Sequence, residues 1–74
     1  MTIYAFHKGF YYEVQLDFAR QRVSHVLRYR GSSEQRAEML DFNDLDTGTQ
    51  DYLIPRIRKA IRDEQDRTES ETYN

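Results

Sequence analysis

From Phe10 to Phe18 every second residue is apolar or aromatic. Phe10, Tyr12, Val14, Leu16 and Phe18 fall on one side of an extended chain, and Tyr11, Glu13, Gln15 and Asp17 on the other. This period of two predicts a strand. Met1 to Phe6 is short, β-branched and aromatic and predicts a strand before it, joined through a three-residue connection, His7-Lys8-Gly9, whose glycine can take a left-handed conformation. With Phe6 opposite Phe10, Tyr4 and Phe6 join the inward aromatic side, and Ile3 and Ala5 face out. After Ala19-Arg20-Gln21-Arg22 the alternation resumes, with Val23, His25, Leu27 and Tyr29 on one side and Ser24, Val26 and Arg28 on the other. A turn between Arg20 and Gln21 satisfies both sides together. Leu16 then faces His25, Val14 faces Leu27 and Tyr12 faces Tyr29, while Glu13 meets Arg28 and Tyr11 meets Arg30 on the opposite face.

Gly31 to Gln35 reads as a loop, and Arg36 to Phe42 as a fourth strand with Leu40 and Phe42 inward; the alternative is a short helix capped at Ser33. Asn43 to Gln50 is turn-like. The last element, DYLIPRIRKAIRDEQDR, is an amphipathic helix capped at Asp51, with Pro55 tolerated in the first turn, where its missing N–H has no intrahelical partner. Leu53, Ile54, Ile57, Ala60, Ile61 and Glu64 share one side of it, and Arg56, Lys59, Arg62 and Asp63 lie on or near the other. Residues 68–74, TESETYN, lack periodicity and are expected to form a disordered polar tail.

The fold class expected is α+β, with a three- to four-stranded antiparallel meander and one C-terminal amphipathic helix packed on one face. Residues 1–67 form a single small domain, near the size at which one core only just stabilises itself, so a partner or a second copy is expected to complete it. Four aromatics, Phe10, Tyr12, Phe18 and Tyr29, then belong to the core, and Tyr11 is left outside.

Charge sharpens this picture. Net charge is −2, yet residues 1–30 carry five Lys/Arg against two acids, and residues 31–74 carry six against eleven. Such a dipolar chain suits a polyanion poorly, because nucleic acid demands a concentrated positive footprint. The nucleic-acid alternative would use Arg20, Arg22, Arg28 and Arg30 with Tyr11, an aromatic on a basic sheet. The chain contains no cysteine, which excludes disulfides and thiol chemistry, and no long apolar run or leader pattern stands at its start. A cytoplasmic location without membrane partners is expected.

Candidate chemistry is sparse. The two histidines have no ligand spacing and the three glycines form no phosphate loop, and in the acidic stretch of Glu34, Glu38, Asp41, Asp44, Asp46 and Asp51 the segment DFNDLDTGTQD lacks the calcium-loop spacing. Its acids serve solubility or mimic a polyanion. No catalytic, cofactor or metal site is expected. The expected partner-binding residues are Ile3, Tyr11, Glu13, Val26, Arg28 and Arg30, an apolar strip rimmed by charge on the outer sheet face, with an exposed strand edge as a second route. They point to a non-enzymatic regulator, inhibitor or accessory subunit that binds another protein or itself as a homodimer. Small phage-encoded inhibitors share this general make-up, an analogy of fold alone.

Overall fold

The computed structural model describes residues 1–30 and 37–72, the last four by backbone alone. Four strands, β1 (Thr2–His7), β2 (Phe10–Asp17), β3 (Arg22–Arg30) and β4 (Glu38–Leu40), form an antiparallel meander in sequence order. A 3-10 turn (Phe42–Asp44) leads into a single helix, α1 (Thr47–Thr72), packed on one face of the sheet. The α+β arrangement read from the periodicity is the one observed. The expected loop 31–35, with Ser33 and Glu34, and the first residue of the expected fourth strand, Arg36, lie outside the described residues.

Turn chemistry sets the registers, and both differ from the expected ones. β1 and β2 are joined by two residues rather than three. Lys8 (φ 51°) and Gly9 (φ 85°) both have positive φ, as a type I′ turn requires, and His7 pairs with Phe10. This one-residue change reverses the faces of β1, so Ile3 and Ala5 turn inward and Tyr4 and Phe6 outward. The second hairpin uses a four-residue loop, Phe18 to Gln21, instead of a two-residue turn. Gln21 (φ 53°) donates its N–H to the Phe18 carbonyl at 3.1 Å, and the Asp17 carboxylate accepts from the Arg20 N–H at 3.2 Å.

Along the second hairpin Leu16 pairs with Val23 but Gln15 with His25, so Ser24 is an extra residue bulging from β3. The bulge lets Val23 and Val26 both reach the interior despite their odd spacing. Beyond it, Val26 and Arg28 lie on the inner side, and His25, Leu27 and Tyr29 lie on the outer side. The expected Glu13–Arg28 and Tyr11–Arg30 pairs therefore do not form.

The core collects Ala5, Tyr12, Val14, Leu16 and Val26 from the sheet, Leu45 from the connection and Leu53 and Ile57 from α1. Phe42, Ala60 and Ile61 pack against it, as does Leu40, which faces Val26 as expected of an inward residue. Of the strands, β1 makes the most contacts with α1. Ala5 keeps that contact close, where the larger side chains of Tyr4 or Phe6 would hold the helix away.

The helix is capped five residues earlier than expected, at Asp46 rather than Asp51. The Asp46 carboxylate accepts from the Thr49 N–H at 3.2 Å and the Thr49 hydroxyl at 2.6 Å. These bonds hold the Asp46 carboxyl below its ordinary value. Pro55 consequently falls inside the helix, on an exposed turn, where the unmatched Asp51 carbonyl can face solvent. At the other end the helix runs to Thr72, past the expected boundary at residue 67; residues 73 and 74 lie outside the described residues. Its polar second half is supported by local pairs, Lys59 with Asp63 at 2.9 Å and Glu64 with Arg67.

Two outcomes test this account. A Cβ at Gly9 meets no atom within 4 Å, so Gly9→Ala should cost about 1–2 kcal/mol through backbone strain alone, read by chemical denaturation. An unchanged stability would show that the type I′ turn does not set the register. Asp46→Ala should lower the melting temperature at neutral pH. A depressed carboxyl stabilises above its unfolded-state value and loses that effect as pH falls through the folded one, so the difference from wild type should shrink on acidification.

Candidate functional site

The face of the sheet away from α1 carries side chains that a solvated surface does not need. One row crosses all four strands through directly paired positions, Tyr4, Glu13, Leu27 and Met39. The next row holds Phe6, Tyr11 and Tyr29, and the row on the other side Thr2, Gln15 and His25. Tyr4 is 60% exposed, Phe6 59%, Tyr11 39% and Met39 70%; with Met1 they are the exposed large apolar side chains among the described residues. The Tyr4 and Tyr11 rings stand 6.3 Å apart, tilted by 39°.

Glu13 sits at the middle of this surface, half-buried, with Tyr4 directly opposite on β1 and Leu27 on β3. Partial burial pushes the Tyr29 hydroxyl above its ordinary value, and the Glu13 carboxylate and Tyr4 beside it push the same way. Tyr29 therefore stays protonated at neutral pH as a donor next to Glu13. Ion pairs among the described residues join Arg20 to Asp17, Arg28 to Glu38, Lys59 to Asp63 and Arg67 to Glu64, and none brings a cation to Glu13.

Of the residues expected to bind a partner, Tyr11 and Glu13 lie on the outer face. Ile3 is half-buried on the inner side, packed against the core, and Val26 is fully buried at 0% exposure. Arg28 and Arg30 lie at an inner corner of the sheet that they share with Phe10 and Glu38, around a cleft of about 220 Å³. Their guanidinium carbons stand 4.9 Å and 5.8 Å from the Phe10 ring centroid. Arg28 donates to Glu38 at 2.7 Å, and this bond, working against the cost of burial, holds its guanidinium above its ordinary value. The register shifts thus move Ile3, Val26, Arg28 and Arg30 off the outer face and bring Tyr4, Phe6, Leu27 and Tyr29 onto it, beside Met39, whose outward side follows from the expected inward Leu40. For β1 the signal was Lys8-Gly9 read as a two-residue turn, which fixes the faces of that strand; in β3 the exchange comes from the Ser24 bulge.

The strand edges are less open. On the β1 side the Tyr52 hydroxyl donates to the Phe6 carbonyl at 3.3 Å. Tyr52 is itself held between the His7 ring, 4.2 Å away and nearly parallel, and the Arg56 guanidinium, 3.8 Å from its ring centroid. On the other side β4 is three residues long, too short to template a strand of ordinary length. The acidic stretch is largely absorbed locally: Glu38 pairs with Arg28, the Asp44 carboxylate accepts from the Asp41 N–H, and Asp46 caps α1. Among the described residues no helix is long and apolar enough to cross a membrane. No protein-family model, no curated protein and no solved structure matches this chain.

Proposed function

We propose that this protein is a non-enzymatic binding module, a cytoplasmic regulator, inhibitor or accessory subunit that docks another protein on its outer sheet face. The observation that carries the reading is the exposure of Tyr4, Phe6, Tyr11 and Met39 on one side of a single sheet. Isolated apolar residues are ordinary on a protein surface; a contiguous aromatic set on one face is the composition of an interface. Tyrosines dominate it, and tyrosine is enriched where binding energy concentrates.

Nucleic acid draws less support from the same geometry. The exposed aromatics lie on one side of the sheet, while Arg28 and Arg30 belong to the inner corner. Of the other two candidate arginines, Arg20 is paired with Asp17 and Arg22 lies opposite Asp17 in the register. A stacking platform without adjacent positive charge gains little from phosphates.

The test is a tagged pull-down from a lysate of the native host with wild type and with Phe6→Ser/Tyr11→Ala. Both side chains are exposed, so the double variant should stay folded, with a stability change within about 1 kcal/mol. A protein recovered in stoichiometric amount with wild type after nuclease, and lost with the variant, is the expected result. Equal recovery from both chains, or recovery abolished by nuclease, would overturn the reading.

A further inference from the structure

We propose that the segment docked on the outer face presents an arginine to Glu13, with its guanidinium among Tyr4, Tyr11 and Tyr29 and apolar flanks covering Phe6, Leu27 and Met39. The inference rests on the docking reading and adds the chemistry of the partner. A protein that covers this surface strips water from Glu13, which lies in its central row. A carboxylate desolvated without a cation is strongly unfavourable. Within the chain its polar neighbour is the Tyr29 hydroxyl, and no ion pair of the described residues reaches it. The compensating charge therefore comes from the partner.

The surroundings select the kind of cation. Tyr4, directly opposite Glu13, and Tyr11, two positions before it on β2, have their rings 6.3 Å apart and tilted to one another. A planar guanidinium can stack on such a ring while its N–H fork meets a carboxylate in two parallel bonds, which the compact ammonium of lysine cannot do. The chain itself sets an arginine over an aromatic ring and against a carboxylate at its inner corner, where Arg28 lies over Phe10 and donates from Nε and Nη2 to one oxygen of Glu38. A second copy of the chain fits less well. Two outer faces stacked about a twofold axis through Glu13 bring one carboxylate against the other, and neither its row nor the rows beside it hold a lysine or arginine.

The experiment selects a random peptide display library on the full-length chain, on Glu13→Gln and on Phe6→Ser/Tyr11→Ala, with sedimentation of the free wild-type chain alongside. Peptides retained by wild type should carry an arginine between apolar residues and be lost on the double variant. Replacing that arginine by citrulline should weaken binding about tenfold on wild type and leave binding to Glu13→Gln unchanged. If the retained peptides depend on Phe6 and Tyr11 but carry no arginine, carry lysine instead, or tolerate citrulline, the arginine inference falls and the docking reading stands. If no peptide depends on Phe6 and Tyr11, both fall. A wild-type dimer that the double variant dissociates would assign the face to a second copy and overturn the arginine partner.

Discussion

Lys8 and Gly9 hold the chain in a turn of two residues with positive φ, and the packing of β1 under the helix depends on that count. Side chains on a strand alternate with a period of two, so one residue more or fewer in the turn exchanges the two faces of β1 entirely. With two, the small Ala5 lies under the helix and Tyr4 and Phe6 stand outside. With three, two large aromatic side chains would lie between β1 and α1 and the outer face would lose half of its aromatic character. For β1, burial on one side and aromatic exposure on the other are consequences of one turn.

The Ser24 bulge performs the corresponding adjustment in β3. Val23 and Val26 are an odd number of positions apart, so a regular strand would send one of them out of the core. An extra residue between them resolves the conflict, and it places Leu27 and Tyr29 beside Glu13 and Tyr11. Arg28 is thereby carried to the inner side of the sheet. It is tolerated there because it sits toward the corner near Glu38 and Phe10, away from β1, where α1 makes its closest approach.

The strongly periodic parts of the fold were legible in the sequence. β2 alternates without a break, and Leu53, Ile57 and Ile61 recur at helical spacing, so the existence of both elements and the inward side of each could be read directly. β1 and β3 were legible as strands but not in their facing. In β1 both sides are apolar, Ile3 and Ala5 against Tyr4 and Phe6, so hydrophobicity does not choose between them. In β3 an unbroken alternation from Val23 to Tyr29 agrees with a bulge-free register that pairs Glu13 with Arg28, and charge pairing on a solvated face is too weak to impose such a register against burial of Val26. Asp46 was readable as a helix cap from the Asp-x-x-Thr spacing, but the tighter apolar periodicity that begins at Tyr52 masks the earlier start.

The ambiguity in β1 follows from the same feature that suggests function. A strand whose two faces are both apolar has one more apolar surface than this fold needs, because α1 covers only one side. Were stability the sole demand, a polar residue at position 4 or 6 would remove the exposed patch and make the register easier to specify. Keeping tyrosine and phenylalanine there leaves the face open to aggregation unless something covers it or opposes self-stacking. On the proposed docking, Glu13 would supply the opposition. A single carboxylate in the central row disfavours stacking on a second carboxylate while favouring a surface that brings the complementary charge, so one residue would act both against self-stacking and for the proposed partner.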